Sequence, residues 1–398
     1  MTIVEQSYAA RTGYVRLGIL AAALFVVGTN AFVIAGVLPQ IAADLGVTSG
    51  AVSYSITWYA VVVAVASPVV SVVFARTSRT TLMATGLVLI AVGTFLAVAA
   101  PTLVWFMAGR VVAALGGAGL VPTATAAAPA LVPPEQRGRA LAVVGLGFTM
   151  ATALGSPLGT ALADVGGWRL ALAALAAVAT VLALVVGLTV RGLPTAVATG
   201  LSARLAVLRD GRIALALGAT LLLFAAFNVV YLFSSAVTQG ATHGDGTALA
   251  ALLLVYGAGG IVGTWLGGHL TDRIGSRTTA VGALLVEVVV LAALVPADGS
   301  LAATAVAFAV WGAVTYVALV AVQHRLADVD PASAGIALSW YSTVMYVGIA
   351  LAPVVGARAL TLGPGAVDMT GAVLAAGALV VFRLGFARRR PRAARRPA

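Results

Sequence analysis

Runs of about twenty apolar residues, cut by short arginine-bearing stretches, recur from end to end of this 398-residue chain. Nothing else in the sequence limits the fold so strongly. A hydrocarbon core about 30 Å thick takes about 20 apolar residues wound as a helix. The runs are continuously apolar and do not alternate with period two, which selects helices over a β-barrel. Spans are expected at roughly 17–38, 52–74, 81–99, 102–123, 139–161, 169–190, 213–236, 247–270, 278–296, 300–322, 334–356 and 366–386. The first run, Leu17 to Leu38, is too long for the apolar part of a cleaved signal and continues into Pro39-Gln40-Ile41, so it reads as the first span.

Composition agrees. Only 9% of residues are charged, against about 25% in soluble domains, and mean hydropathy is +1.09. The chain has no cysteine, which removes disulfides, thiolate catalysis and cysteine metal sites. All 23 basic residues are arginine, a bias pointing to a GC-rich bacterial genome. The net charge of +11 would suit nucleic acid, but the arginines sit between spans. With both termini cytoplasmic, the inner segments carry nearly all of them, and the outer side only Arg169 and Arg358. This predicts a multi-pass protein of the bacterial cytoplasmic membrane. The basic tail, 387–398, is expected to lie against anionic lipid headgroups.

The longest inner connection, 191–212, divides the chain into 1–190 and 213–386. The two parts repeat. Arg79-Thr80-Thr81 returns as Arg277-Thr278-Thr279, Gly138 as Gly335, Pro157 as Pro353, and Asn30 as Asn228, all at an offset near 198. Parallel six-helix repeats predict an all-α membrane protein: twelve transmembrane helices in two pseudo-symmetric six-helix bundles around a central cavity. Asn30 and Asn228 are the only asparagines, and both fall mid-helix in the first span of each half. An amide is costly in lipid, so both are expected to look into that shared cavity.

Several motifs carry a resemblance. Gly268-x-x-x-Asp272-Arg273-x-Gly275-x-Arg277, between spans eight and nine, resembles the loop signature of the major facilitator superfamily. The resemblance implies a cytoplasmic latch from Asp272 to Arg139 at the start of the fifth span, with Arg273 and Arg277 holding the loop. The first-half copy keeps Arg76 and Arg79 but has Ser71, Ala75 and Ser78 where the family has Gly, Asp and Gly. LGSPLGTALADVGGWR resembles the fifth-helix motif of the drug–proton antiporters in this superfamily, with Gly155, Pro157 and Gly159 allowing close packing and bending. GTNAFVIAGVLPQIAADLG resembles the first-helix signature of the branch containing arabinose and chloramphenicol exporters. The implied function is export of a small, lipophilic or amphipathic molecule by alternating access, with proton antiport. Relatives carry an acid near Asn30; this chain does not, and a carboxamide cannot titrate.

Ionisable residues inside spans are functional candidates by default. Arg110, in span four, is a candidate contact for a polar or anionic substrate group. Glu287, in span nine, is a candidate proton carrier, because an isolated carboxylate is expected to keep its proton where desolvation penalises charge. It could equally pack against a neighbouring helix. Asp44, at the outer rim of span one, is a second proton or gate candidate. Aromatics gather in spans two, seven and eleven, and Trp58, Phe227, Tyr231 and Tyr341 are candidate substrate contacts; some of this group suit an interfacial belt instead. No histidine cluster has metal-ligand spacing and no phosphate loop is present, so neither enzyme chemistry, metal nor cofactor is expected. The expected partners are a substrate, protons and the bilayer, and the chain is expected to work as a monomer. A sugar or metabolite facilitator and a transporter-like sensor are the alternatives.

Overall fold

The computed structural model describes residues 3–74, 76–133, 137–190, 193, 205–330 and 333–387. Among the described residues all regular structure is helical. We number the helices α1 (Ile3–Leu45), α2 (Ser49–Val73), α3 (Arg79–Val98), α4 (Leu103–Ala127), α5 (Arg137–Met150), α6 (Ser156–Thr189), α7 (Gly211–Leu232), α8 (Ser234–Val237), α9 (Gln239–Thr242), α10 (Gly246–Ala297), α11 (Leu301–Val329), α12 (Ala334–Leu360) and α13 (Pro364–Ala387). Helix starts fall where a short polar residue can take an orphan backbone N–H. Ser78 accepts from Thr81, Asp210 from Arg212 and Asp245 from Thr247. The Arg212 side chain also bonds the Asp210 carboxylate, which holds that carboxyl below the usual range.

Ten helical stretches are long and apolar enough to cross a membrane. Two of them, Val143–Thr189 and Gly246–Ala297, have 47 and 52 residues, about 70 Å or more of helix, enough for two crossings each. Each contains one glycine at positive φ: Gly167 at 80° and Gly275 at 81°. The chain reverses there. Before Gly167 it runs parallel to α1, with Gly147 against Ala21 and Gly159 against Val33. After it the chain runs back along α3, from Arg169 at Val98 to Val190 at Thr80. After Gly275 it returns until Asp298 reaches Gly240. The loops expected after spans five and eight are therefore single-residue breaks, and with them the described residues supply the twelve expected crossings.

The fifth crossing is itself irregular. Ala151–Gly155 forms a π-helical turn between α5 and α6. Pro157 follows two residues later. A proline lacks the N–H for its own i−4 bond and its ring clashes with the carbonyl of residue i−4, here Ala153, and a widened turn removes that clash.

Only glycine adopts the φ of Gly275 without strain. Gly275→Ala is therefore expected to lower stability by about 1–2 kcal/mol. Gly282→Ala, at a helical position with open space around it, is expected to be neutral or stabilising. Thermal unfolding of the two purified variants in one detergent checks the ordering.

Candidate functional site

The first helices of the two halves show where the halves meet. Residues 26–38 of α1 and 223–234 at the end of α7 and start of α8 are buried on every side. Their other ends, including Val15, Gly18 and Ala214, are exposed. The halves thus close on each other from mid-helix to the end opposite the chain termini, and part towards the termini. Hydrogen bonds among the described residues cross the closed part. Thr57 donates to the Ala350 carbonyl at 2.9 Å, Thr247 donates to Asp164 at 3.1 Å, and Thr152 pairs with Tyr316 at 2.6 Å.

Aromatic rings fill the junction. Phe32 of α1 lies 6.0 Å from Phe227 and 5.8 Å from Tyr231, both of α7. Phe227 stacks on Tyr256 at 5.8 Å, and Tyr256 lies 4.5 Å from Trp311. Tyr341 joins the rim through Phe224 at 5.9 Å. Of the aromatic candidates, Phe227, Tyr231 and Tyr341 therefore come together. Trp58 does not. It is 53% exposed and, with Tyr54, lines an open apolar groove of about 700 Å³ near the closed end, beside Ala357 and Leu360.

The asparagines correct the expectation of a shared hollow. Asn30 is fully buried and turned into its own half. Its amide donates to Thr94 Oγ1 at 2.7 Å, and its side-chain and backbone oxygens accept from Arg110 at 2.5 and 2.7 Å. The Arg110 guanidinium also lies over the Tyr59 ring, 4.5 Å from its centre. The physical reason is electrostatic: a buried cation without a carboxylate draws in the nearest amide oxygen and aromatic face. Asn228 donates instead to the Phe224 carbonyl of its own helix at 2.8 Å. It is Asn30 that departs from the expectation.

The remaining charged candidates separate. Asp44 pairs with Arg169 and accepts from Trp168 Nε1 at 3.3 Å. Arg169 also donates to the Val98 and Ala100 carbonyls. Asp44 is thus a staple among α1, α3 and α6 within one half. Glu287 is fully buried and points to α11, where Thr315 Oγ1 donates to its Oε1 at 3.0 Å. Of the latch residues, Asp272, Arg273, Arg277 and Arg76 are exposed. Arg79 donates to the Ala126 carbonyl of its own half at 2.7 Å. The side chain of Arg139 lies outside the described residues. Gly155 and Gly159 lie against Thr29 and Val33 of α1, with Pro157 in the first turn of α6.

Sequence reasoning passed over Asp368, a buried acid just inside α13. Its signal was available, because it lies within the last expected span. Phe32, Thr152, Tyr256, Trp311 and Tyr316 had no such signal; each is an ordinary residue in an apolar run.

The Major Facilitator Superfamily model matches residues 20–353 and 215–398. The chain belongs to the major facilitator superfamily. A chloramphenicol resistance protein of Streptomyces lividans is 34% identical over 380 residues, covering 92% of this chain and 95% of that protein. The MFS-type transporter YbcL of Bacillus subtilis is 30% identical over 86% of this chain and 87% of its own length. Among solved structures, a nucleoside transporter superposes with TM-score 0.75 at 13% identity, covering 94% of this chain and 98% of its own. A bacterial homologue of the lysosomal transporter Spinster, inward-facing and occupied, gives 0.71 at 19%, covering 97% and 96%. The chain is thus an integral membrane transporter of this superfamily, and the crossing pattern described above is that of its fold.

Removing one partner of a buried charge costs more than replacing the charge by an apolar group of similar shape. Asn30→Leu is therefore expected to destabilise this transporter by about 3 kcal/mol, and Arg110→Met by clearly less. Unfolding midpoints in detergent decide the order.

Proposed function

We propose that this transporter exports small lipophilic or amphipathic molecules, in exchange for protons, across the bacterial cytoplasmic membrane. The observation that carries the proposal is the junction of the halves. It is built from Phe32, Phe227, Tyr231 and Tyr256, rings that offer apolar faces and two phenolic edges. Such a surface takes a flat or bulky apolar body and one or two polar groups. Sugars, by contrast, call for a dense set of hydrogen-bonding side chains, and the junction has few. The chloramphenicol resistance relative supports the same substrate class.

Segments 1–190 and 213–386 are the two rocking bodies, joined by 191–212, and 387–398 is a basic tail on anionic lipid. The arginine bias puts the termini in the cytoplasm, so the arrangement described is the one that loads from inside. Phe227, Tyr231 and Tyr341 contact the substrate. In the opposite arrangement Asp272 latches to Arg139, flanked by Arg273, Arg277, Arg76 and Arg79. Asn30 and Arg110 hold the first half rigid behind the site. Glu287 carries the proton: it is a buried carboxylate with one unpartnered oxygen, and no ion pair involves it among the described residues. The chain acts as a monomer and needs no cofactor.

Reconstituted vesicles test this with chloramphenicol and a panel of lipophilic cations, following substrate and internal pH together. Phe227→Leu, which removes the ring but keeps most of the buried apolar volume, is expected to raise KM several-fold, whereas the exposed-site control Val306→Ala leaves KM unchanged. Glu287→Gln is expected to abolish substrate-driven proton movement while flux down the substrate gradient persists. Flux in the parent protein that ignores a pH gradient would make it a facilitator. Binding of these compounds without flux would make it a sensor.

A further inference from the structure

The groove beside Trp58 stands apart from the aromatic junction, and the function proposed above makes no use of it. It holds about 700 Å³, within the range of ligand-binding cavities. Its walls come from both halves. Tyr54 and Trp58 of α2 and Met107 of α4 lie on one side, and Ala357 and Leu360 of α12 on the other. The neighbouring surface is apolar and open: Val61 and Val65 of α2 and Val104 of α4 are all exposed. On spanning helices such a surface meets lipid.

The groove has the length of one leaflet. From Ser49 to Trp58 the chain advances nine residues along α2, about 14 Å of helix. Half of a hydrocarbon core about 30 Å thick is about 15 Å. The groove therefore runs from the outer rim of the membrane nearly to its midplane. Its chemistry changes along the way. The rim carries the hydroxyl residues Thr48, Ser49 and Thr361, and the deep end is Trp58 and Met107. Arg358 stands at that rim, between Ala357 and Leu360 in sequence, and is exposed. No ion pair involves it among the described residues, whereas Arg169, the other arginine assigned to the outer side, is held by Asp44. A cationic, hydroxyl-lined mouth above an apolar trough complements a phosphate that carries an acyl chain. An aromatic belt accounts for Tyr54 but not for Trp58. Belt rings sit at headgroup level, and Trp58 lies near the middle of the 49–70 span with 53% of its surface exposed.

We propose that the groove binds an anionic phospholipid of the outer leaflet, its phosphate at Arg358 and one acyl chain along Tyr54, Trp58 and Met107, and that this lipid holds the outer end shut. The inference rests on the cytoplasmic placement of the termini and on the rocking of the halves proposed above. The hold follows from where the walls come from. An ideal Cβ on Gly50 would lie 3.5 Å from Ala357 Cβ, so α2 and α12 meet closely at the rim. Next to Trp58, Thr57 donates to the Ala350 carbonyl across the same two helices. When the outer ends part, α2 leaves α12 and the acyl chain loses one wall. A ligand that binds one arrangement better shifts the population towards it. Anionic lipid outside thus favours the arrangement that loads from inside, and its departure accompanies opening to the outside.

Trp58 is itself the probe. The protein is reconstituted in phosphatidylcholine vesicles containing a small share of phosphatidylglycerol brominated near the end of one chain, since bromine quenches only a tryptophan that it reaches. The Trp58 signal is the difference between the parent and Trp58→Phe. Brominated phosphatidylglycerol is expected to quench it as though enriched about fivefold over brominated phosphatidylcholine, the preference that one basic residue gives an anionic lipid. Arg358→Gln is expected to remove the enrichment and Arg358→Lys to keep it. Ala357→Leu, which narrows the trough, is expected to lower quenching by either lipid. Equal quenching by the two lipids, unchanged in Arg358→Gln, means annular lipid only and overturns the inference. The absence of cysteine allows a second reading. Spin labels at Val165→Cys and Leu301→Cys, exposed at the outer ends of opposite halves, are expected to lie closer in phosphatidylglycerol than in phosphatidylcholine, and Arg358→Gln to abolish the difference. A separation that ignores the lipid while quenching is selective overturns the closing role. A separation that substrate leaves unchanged, or a Val165→Cys protein that an impermeant thiol reagent fails to reach in intact cells, overturns instead the rocking or the orientation beneath the inference.

Discussion

Hydrocarbon offers no hydrogen bonds, so every polar group in this chain must find its partner inside the protein. For the backbone the answer is the helix. For threonines it is mostly the carbonyl one turn back: Thr94, Thr123, Thr160, Thr220, Thr264 and Thr370 each donate to residue i−4. Those bonds ask nothing of neighbouring helices. The few polar side chains that cannot be satisfied locally therefore decide which helices must touch. Arg110 draws α1 and α2 onto α4 through Asn30 and Tyr59. Glu287 draws the ninth crossing onto α11 through Thr315. Thr152 and Tyr316 draw one half onto the other.

The same constraint explains what the sequence disclosed and what it withheld. Spans were legible because the cost of burying charge is large and one-dimensional: arginines and aspartates mark where helices must end. The breaks at Gly167 and Gly275 were legible as loops, but not as single-residue reversals, because a positive φ leaves no trace in hydropathy. Asn30 was expected to look into the cavity and is turned into its own half instead. Its spacing from Asn228 showed the repeat. The repeat says nothing about which way each side chain turns: Asn30 bonds a guanidinium, whereas Asn228 bonds the carbonyl of its own helix. Asp368 was missed although it lies within the last expected span, because it sits only two residues inside the span's start.

The aromatic junction was hardest to read, for a different reason. Phe32, Tyr256 and Trp311 come from three helices far apart in sequence, and in an apolar run a ring is only one more apolar side chain. Symmetry gave no help. The first half offers Phe32 and Phe148, 5.7 Å apart. The second half offers Phe227, Tyr231, Tyr256, Phe308 and Trp311. The junction is therefore lopsided, and the duplication visible in the loops does not extend to the site.

That asymmetry bears on how the two halves share the work. The first half holds its buried charge within one bundle: Arg110 donates to Asn30 through a single nitrogen and lies over the Tyr59 ring, while its Nε and Nη2 are buried without a hydrogen-bond partner among the described residues. Losing Asn30 as well would strand the guanidinium in an apolar interior. The second half holds its charge loosely. Glu287 has one bonded oxygen and one free, among hydroxyl and indole groups that lack partners of their own. Both buried charges thus keep unpartnered polar atoms, but only the carboxyl can become neutral. The arginine therefore suits a fixed wall, and the carboxyl suits the part that moves. On this view, placing an amide rather than an acid beside Arg110 leaves the arginine without a carboxylate partner, and the proton exchange proposed above falls to the second half.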